Sequence, residues 1–154
     1  MMELPILIAI TCAVSFIIPK NEFKADSFSR DWYGYATNQL CHALLIGGVG
    51  VFLLAEMYWV ATGIYPYRYN LFLAMVAGYT LFEYRQGFRG LDTLEDILFT
   101  VVYGAGGALF VFKADSTETG LVVADPRAAL IPLTAIAIHL FFGVVARRGN
   151  HGMG

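Results

Sequence analysis

Long apolar runs separated by brief polar stretches set the pattern of the chain. A helix crossing about 30 Å of hydrocarbon needs roughly 20 mostly apolar residues. Five stretches read that way, at about 3–20, 38–62, 67–88, 94–113 and 127–146. The pattern predicts an all-α fold: a polytopic integral membrane helical bundle of about five transmembrane helices, with four as the alternative. A single transmembrane domain then fills 1–154. The second run, Leu40 to Pro66, holds only His42 and Glu56 among acids, bases and histidines, and the fifth, Ala128 to Ala146, only His139. Asp125 and Pro126 offer the fifth helix an N-cap and a first-turn proline.

The first run, Leu4 to Ile18, is read as a retained span. Glu3 stands where a signal peptide carries positive charge, and no small-x-small site precedes Pro19 and Lys20. The third and fourth runs are short. Between Arg68 and Glu83 lie 14 residues, about 21 Å of helix, and between Asp96 and Lys113 only 16. The helices are therefore expected to continue through Glu83–Phe88 and Leu94–Asp96, which draws charged groups to the interface or inside it.

Composition agrees with this picture. Hydrophobic residues make up 58% and charged residues 14%, where a soluble domain carries about 25% charge. A net charge of −2 without a basic run excludes a nucleic-acid partner. Cys12 and Cys41 lie in or beside apolar segments without CxxC spacing and read as small hydrophobes. Among the ten Lys and Arg residues, Lys20, Lys24, Arg30, Arg85, Arg89, Arg147 and Arg148 fall on one side of a five-span chain, and Arg68, Lys113 and Arg127 on the other. That asymmetry predicts an outside N-terminus and a cytoplasmic C-terminus. Tyr58, Trp59, Tyr65, Tyr67 and Tyr69 suit the outer interface, and Trp32, Tyr33 and Tyr35 the inner. Residues 21–36 suit an interfacial helix ending near Asp31, and the polar residues 114–126 form the main external loop.

This topology brings His42, Glu83, Gln86, Arg89, Asp92, Glu95 and Asp96 toward the cytoplasmic face. Glu83 and Gln86 are three residues apart, on neighbouring helix faces. Asp92 and Glu95, in Asp-Thr-Leu-Glu, match a capping box. Asp96 is not needed for capping, and as a buried carboxylate it calls for Arg85, Arg89 or His42 as a partner. Arg85 and Arg89 also suit headgroup anchors, and Gln86 an interhelical hydrogen bond. No HExxH spacing supports a metal site, no GxSxG elbow supports a serine hydrolase, and no cofactor is expected. Glu56 reads as a residue reaching the outer interface and His139 as a packed histidine, with a hydrogen bond across helices or a proton path with Glu56 or Glu83 as the alternatives. Gly47, Gly48 and Gly50, and Gly104, Gly106, Gly107 and Ala108, read as close helix-packing faces.

Over residues 38–110 the order of these groups resembles the VanZ-like family of small bacterial membrane proteins. The likeness rests on His42 early in the second span, Glu83 and Gln86 closing the third, and Arg89 after them. Asp96 then opens the fourth ahead of Gly104 to Gly107. The family's Asn one turn past its Asp is Thr100 here. The resemblance implies a place in the bacterial inner membrane and a role at the envelope. A substrate of envelope or lipid-linked character would meet Glu83 and Asp96 as acid/base groups and His42 as proton acceptor or orienter. Gln86 and Arg89 would bind it, Arg89 as an anion clamp. Membrane lipids are the expected surroundings. Two other readings stand beside this one: a non-catalytic accessory subunit docking on partner membrane subunits, and a small proton-coupled transporter using His139 and Glu56.

Overall fold

The computed structural model describes residues 32–114, 121–123 and 126–148. The first expected span (3–20), Cys12, residues 21–31, Asp125 and the tail from 149 lie outside the described residues. Four helices account for nearly all of the rest. Helix α1 is Trp32–Thr62, α2 is Arg68–Gln86, α3 covers 91–111, and α4 is Leu130–Arg148 after a 3₁₀ turn at Pro126–Ala129. Three stretches, Trp32–Thr62, Asp92–Val111 and Arg127–Val145, are long and apolar enough to cross a membrane. They support a helical bundle set in lipid. Helix α2 falls short on apolarity, since Asn70, Glu83, Arg85 and Gln86 and its tyrosines dilute the run.

The helix ends follow from glycine and proline. Helix α1 stops at Gly63, whose φ of +76° is open to a residue without Cβ, and its N–H closes on Trp59 O at 2.7 Å. Pro66 then holds the chain out of helix until Tyr67, which is extended and caps α2. Gly87 and Gly90, at φ +94° and +71°, bracket the turn into α3, and the Arg89 N–H donates to the buried Thr93 Oγ1 at 3.0 Å. Both α2 and α3 continue through the charged positions, α2 past Glu83 to Gln86 and α3 from Leu91.

The expected capping box is not formed. Gly90 is the N-cap of α3, with no side-chain cap. Asp92 sits inside the first turn, where it favours the helix dipole, and Glu95 turns into the bundle. Of the expected external loop at 114–126, the described residues Ala114 and Leu121–Val123 are strand. A short antiparallel pair, β1 (Phe112–Ala114) and β2 (Leu121–Val123), matches Phe112 with Val123 and Ala114 with Leu121.

The centre of the bundle is the contact between α1 and α3. Each carries a nine-residue π-helical stretch, Cys41–Val49 and Leu98–Gly106, and the two pack on one another. Such wide turns are rare and concentrate at functional sites. A Cβ at Gly47 would meet Thr100 O, and would lie 2.9 Å from Gly104 Cα; a Cβ at Gly104 would meet Ala43 O. Only glycine permits this backbone-to-backbone approach. Helix α2 closes one flank, with Leu71, Phe72 and Met75 against Val51, Ala55, Ala105 and Leu109. Helix α4 closes the other, with Ile136 and Leu140 against Ala43 and Phe99. Pro132 sits against Gly107, and the Tyr35 ring against Gly143. Leu73, Leu81, Phe82, Ile138, Phe141 and Phe142 point outward, as a hydrocarbon solvent allows.

Candidate functional site

Helix α3 presents two adjacent acids to two different neighbours. Asp96 and Thr100, one turn apart, face α1 and α2; Glu95, Phe99 and Tyr103, at four-residue steps, face α1 and α4.

On the first side Gln39 Nε2 donates to Asp96 Oδ1 at 2.8 Å. His42 Nε2 stands 3.9 Å from the same oxygen. Its Nδ1 is 3.0 Å from Thr100 Oγ1 and 2.6 Å from Tyr79 Oη, and the Tyr79 ring meets the imidazole edge to face. Three helices thus contribute to one cluster. Two hydroxyls at Nδ1 suit a neutral imidazole with its proton on Nε2, directed at Asp96, while Tyr79 donates to the bare nitrogen. Thr100 and Gln39 are fully buried, and Glu83, one turn beyond Tyr79, is buried as well. Glu83, Glu95 and Asp92 all lie close enough to act electrostatically on Asp96. Among the described residues the Oε1 of Gln39 has no hydrogen-bond partner, so this buried amide keeps an acceptor unused by them.

On the second side Tyr35 Oη donates to Glu95 Oε1 at 2.6 Å, and His139 Nε2 lies 3.0 Å from that same oxygen. Tyr103 Oη is 3.1 Å from His139 Nδ1, and Phe99 packs on the imidazole at 4.7 Å between centroids. One tautomer serves both contacts: Nε2–H donates to Glu95 and Nδ1 accepts from Tyr103. His139 is therefore a hydrogen-bonding partner of an acid across helices, beyond a packed ring, and Glu95 is its partner in place of a capping residue.

The predicted site residues divide. His42 and Asp96 come within 3.9 Å of one another. Glu83 is buried alongside them. Gln86 and Arg89 lie on the exposed surface at the α2–α3 turn, as does Arg85. Neither Arg85 nor Arg89 forms an ion pair among the described residues, so Asp96 takes Gln39 and His42 as neighbours in place of an arginine. Glu56 receives Tyr65 Oη at 2.9 Å, while His139 is engaged by Glu95 and Tyr103; no hydrogen-bonded line joins them among the described residues. Gln39, Tyr79, Tyr35 and Tyr103 carry no motif. Their signal is spacing: Tyr35 and Gln39, Tyr79 and Glu83, and Asp96 and Thr100 are each one turn apart within apolar helix, so each pair shares a face. Among the described residues no group of three or more His, Cys, Asp or Glu is placed to hold a metal ion.

No family model matches the chain, and neither a curated protein nor a solved structure does so.

Proposed function

We propose that this chain is a VanZ-like protein of the bacterial inner membrane, with five spans, its N-terminus outside and its C-terminus cytoplasmic. Its cytoplasmic-face polar cluster binds or processes an envelope or lipid-linked substrate. One observation carries the reading: Asp96, Gln39, His42, Thr100 and Tyr79 converge from three helices in the interior of the bundle. Polar groups inside a membrane bundle are costly and mark functional sites. In this reading Asp96 and Glu83 exchange protons with the substrate, and His42 accepts or orients a proton beside Asp96. Arg89 and Gln86, at the exposed rim, meet anionic headgroups.

The test compares cells expressing the wild-type chain, Asp96→Asn and Glu83→Gln by untargeted profiling of membrane lipids and envelope precursors. A shift in one lipid-linked species that the wild type produces and both variants lose, while remaining folded in detergent, supports the reading. A profile identical for all three chains overturns it.

A second reading is favoured by α4, which exposes Ile131, Leu133, Ile138, Phe141, Phe142 and Val145 along its length. A helix so little covered by its own bundle suits an accessory subunit docked on a larger membrane complex. Native mass spectrometry from mild detergent separates the two, since a stoichiometric protein partner is expected only for the subunit.

A further inference from the structure

Two acids stand inside the bundle with no lysine or arginine beside them. Asp96 and Glu83 lie close enough to act on one another electrostatically, and the Tyr79 hydroxyl sits beside Glu83. Among the described residues neither acid has a lysine or arginine within ion-pair distance, and Asp96 has only His42, at 3.9 Å. A second observation is independent of these charges. Gln39 is 1% exposed and its Nε2 donates to Asp96, yet among the described residues its Oε1 accepts nothing. The amide is thus directed at the acids with a bare acceptor, where a buried polar atom ordinarily has a partner.

Positive charge lies nearby, on the outside. Arg85 and Arg89 are exposed at the α2–α3 turn. Glu83 lies just before the end of α2 at Gln86, and Asp96 just after the start of α3 at Leu91. Both acids are therefore roughly 5–8 Å along their helices from that turn. The cluster is not sealed, since 13% of the Asp96 side chain and 12% of that of His42 is accessible.

We propose that this site holds the headgroup of a primary-amine glycerophospholipid, its ammonium among Asp96, Glu83 and Gln39 Oε1 and its phosphate at Arg85 and Arg89. The inference rests on the lipid-linked reading above and names the headgroup. Buried carboxylates without a cation are unfavourable, and a bound ammonium neutralises them. A primary ammonium carries three N–H donors, which suit two carboxylates and one amide oxygen. A quaternary ammonium has no N–H to offer the Gln39 acceptor, and a glycerol headgroup brings no positive charge. Among the described residues no three acids or histidines are placed to hold a metal ion, and a bare alkali cation would leave the arginines unmatched. Negative charge within and positive charge at the rim match a zwitterion entering amine first. The short two-carbon bridge of ethanolamine and the long arginine side chains together span the step between them.

The experiment offers the full chain, in mild detergent, equal amounts of four lipids with identical acyl chains. These are phosphatidylethanolamine, phosphatidylcholine, phosphatidylglycerol and N-acetylated phosphatidylethanolamine, and native mass spectrometry reads which is retained. The ethanolamine lipid is expected about tenfold above each of the others, the contribution of one hydrogen bond to a charged group. Asp96→Asn, Glu83→Gln and Gln39→Leu each remove that preference, while Glu56→Gln, toward the other end of α1, keeps it. Melting curves establish which variants are folded, and one folded variant of the three suffices. Equal retention of the four lipids overturns the proposal, as does a preference that survives in every folded variant. A rise in melting temperature from sodium chloride equal to that from the ethanolamine lipid also overturns it, in favour of a bare cation. Stabilisation by soluble phosphoethanolamine and not by the lipid overturns the lipid source. A preference lost in the variants while the envelope profile stays unchanged supports this inference and defeats the processing role; an altered profile without any preference defeats this inference alone.

Discussion

His42 Nε2 and Asp96 Oδ1 stand 3.9 Å apart, too far for a direct hydrogen bond and too close for a water between them. The pair is poised, and closing the gap needs a movement of about 1 Å, since a charge-assisted bond of this kind settles at roughly 2.7–2.9 Å. If the cluster is catalytic, Asp96→Asn and His42→Gln each lower turnover by about 10²–10⁴-fold, the usual contribution of a positioned acid or base. Tyr79→Phe removes only the hydroxyl at Nδ1 and lowers it by about tenfold, near the worth of one hydrogen bond. Comparison of the three variants in one assay checks the ranking, and a Tyr79→Phe loss as large as that of Asp96→Asn contradicts it.

Glu95 and His139 tie α3 to α4 by a contact that a double-mutant cycle measures directly. Glu95→Gln, His139→Gln and the double variant, unfolded from detergent under identical conditions, are expected to show a coupling of about 1–3 kcal/mol. Strictly additive losses would mean that the 3.0 Å contact contributes nothing to the packing of α4.

Gly104 and Gly47 are expected to be intolerant of any side chain. Gly104→Val places Cβ on Ala43 O and Gly47→Val places it on Thr100 O, so both variants separate α1 from α3 and lose folded yield. Gly78 supplies the control, because a Cβ there meets nothing within 4 Å. Gly78→Ala should hold or gain stability, by up to about 0.5–1 kcal/mol from the helix preference of alanine. Melting temperatures of the three variants in one detergent decide the matter.

Topology is tested by single cysteines in a background lacking Cys12 and Cys41. Under the five-span arrangement Arg89→Cys reacts with a membrane-impermeant maleimide only after the cells are opened, and Thr117→Cys reacts in intact cells. The reverse pattern inverts the bundle.

Much of the bundle was legible in the apolar runs, because a helix in lipid satisfies its backbone internally and leaves hydropathy as the main signal. Helix α4 matches its run closely, and α2 and α3 extend through the charged residues that cut their runs short; α1 begins at Trp32, before the expected start at 38, so residues 32–36 belong to the long helix rather than to a separate interfacial segment. The site was legible only in part. His42, Glu83 and Asp96 stood out because charge inside an apolar run is conspicuous. Gln39, Tyr79 and Thr100 did not, since a neutral polar residue in a helix is unremarkable until its neighbour across the bundle is known. Glu95 was misread for a physical reason: capping is decided by where the helix begins, and Gly90, with its positive φ, starts α3 early enough to release Glu95 to His139. The rim position of Arg89 follows from the same turn, which points away from the bundle interior.

The glycine contact at Gly47 and Gly104 governs how the protein can move. At Gly47 and Gly104 no side chain lies between the backbones to repack, which ties α1 to α3 there and keeps Gln39, His42, Asp96 and Thr100 in register. Tyr79 and His139 arrive on α2 and α4, each held to that pair by side chains alone. A tilt of α2 therefore withdraws the Tyr79 hydroxyl from His42, and a tilt of α4 the His139 imidazole from Glu95, against a fixed spine.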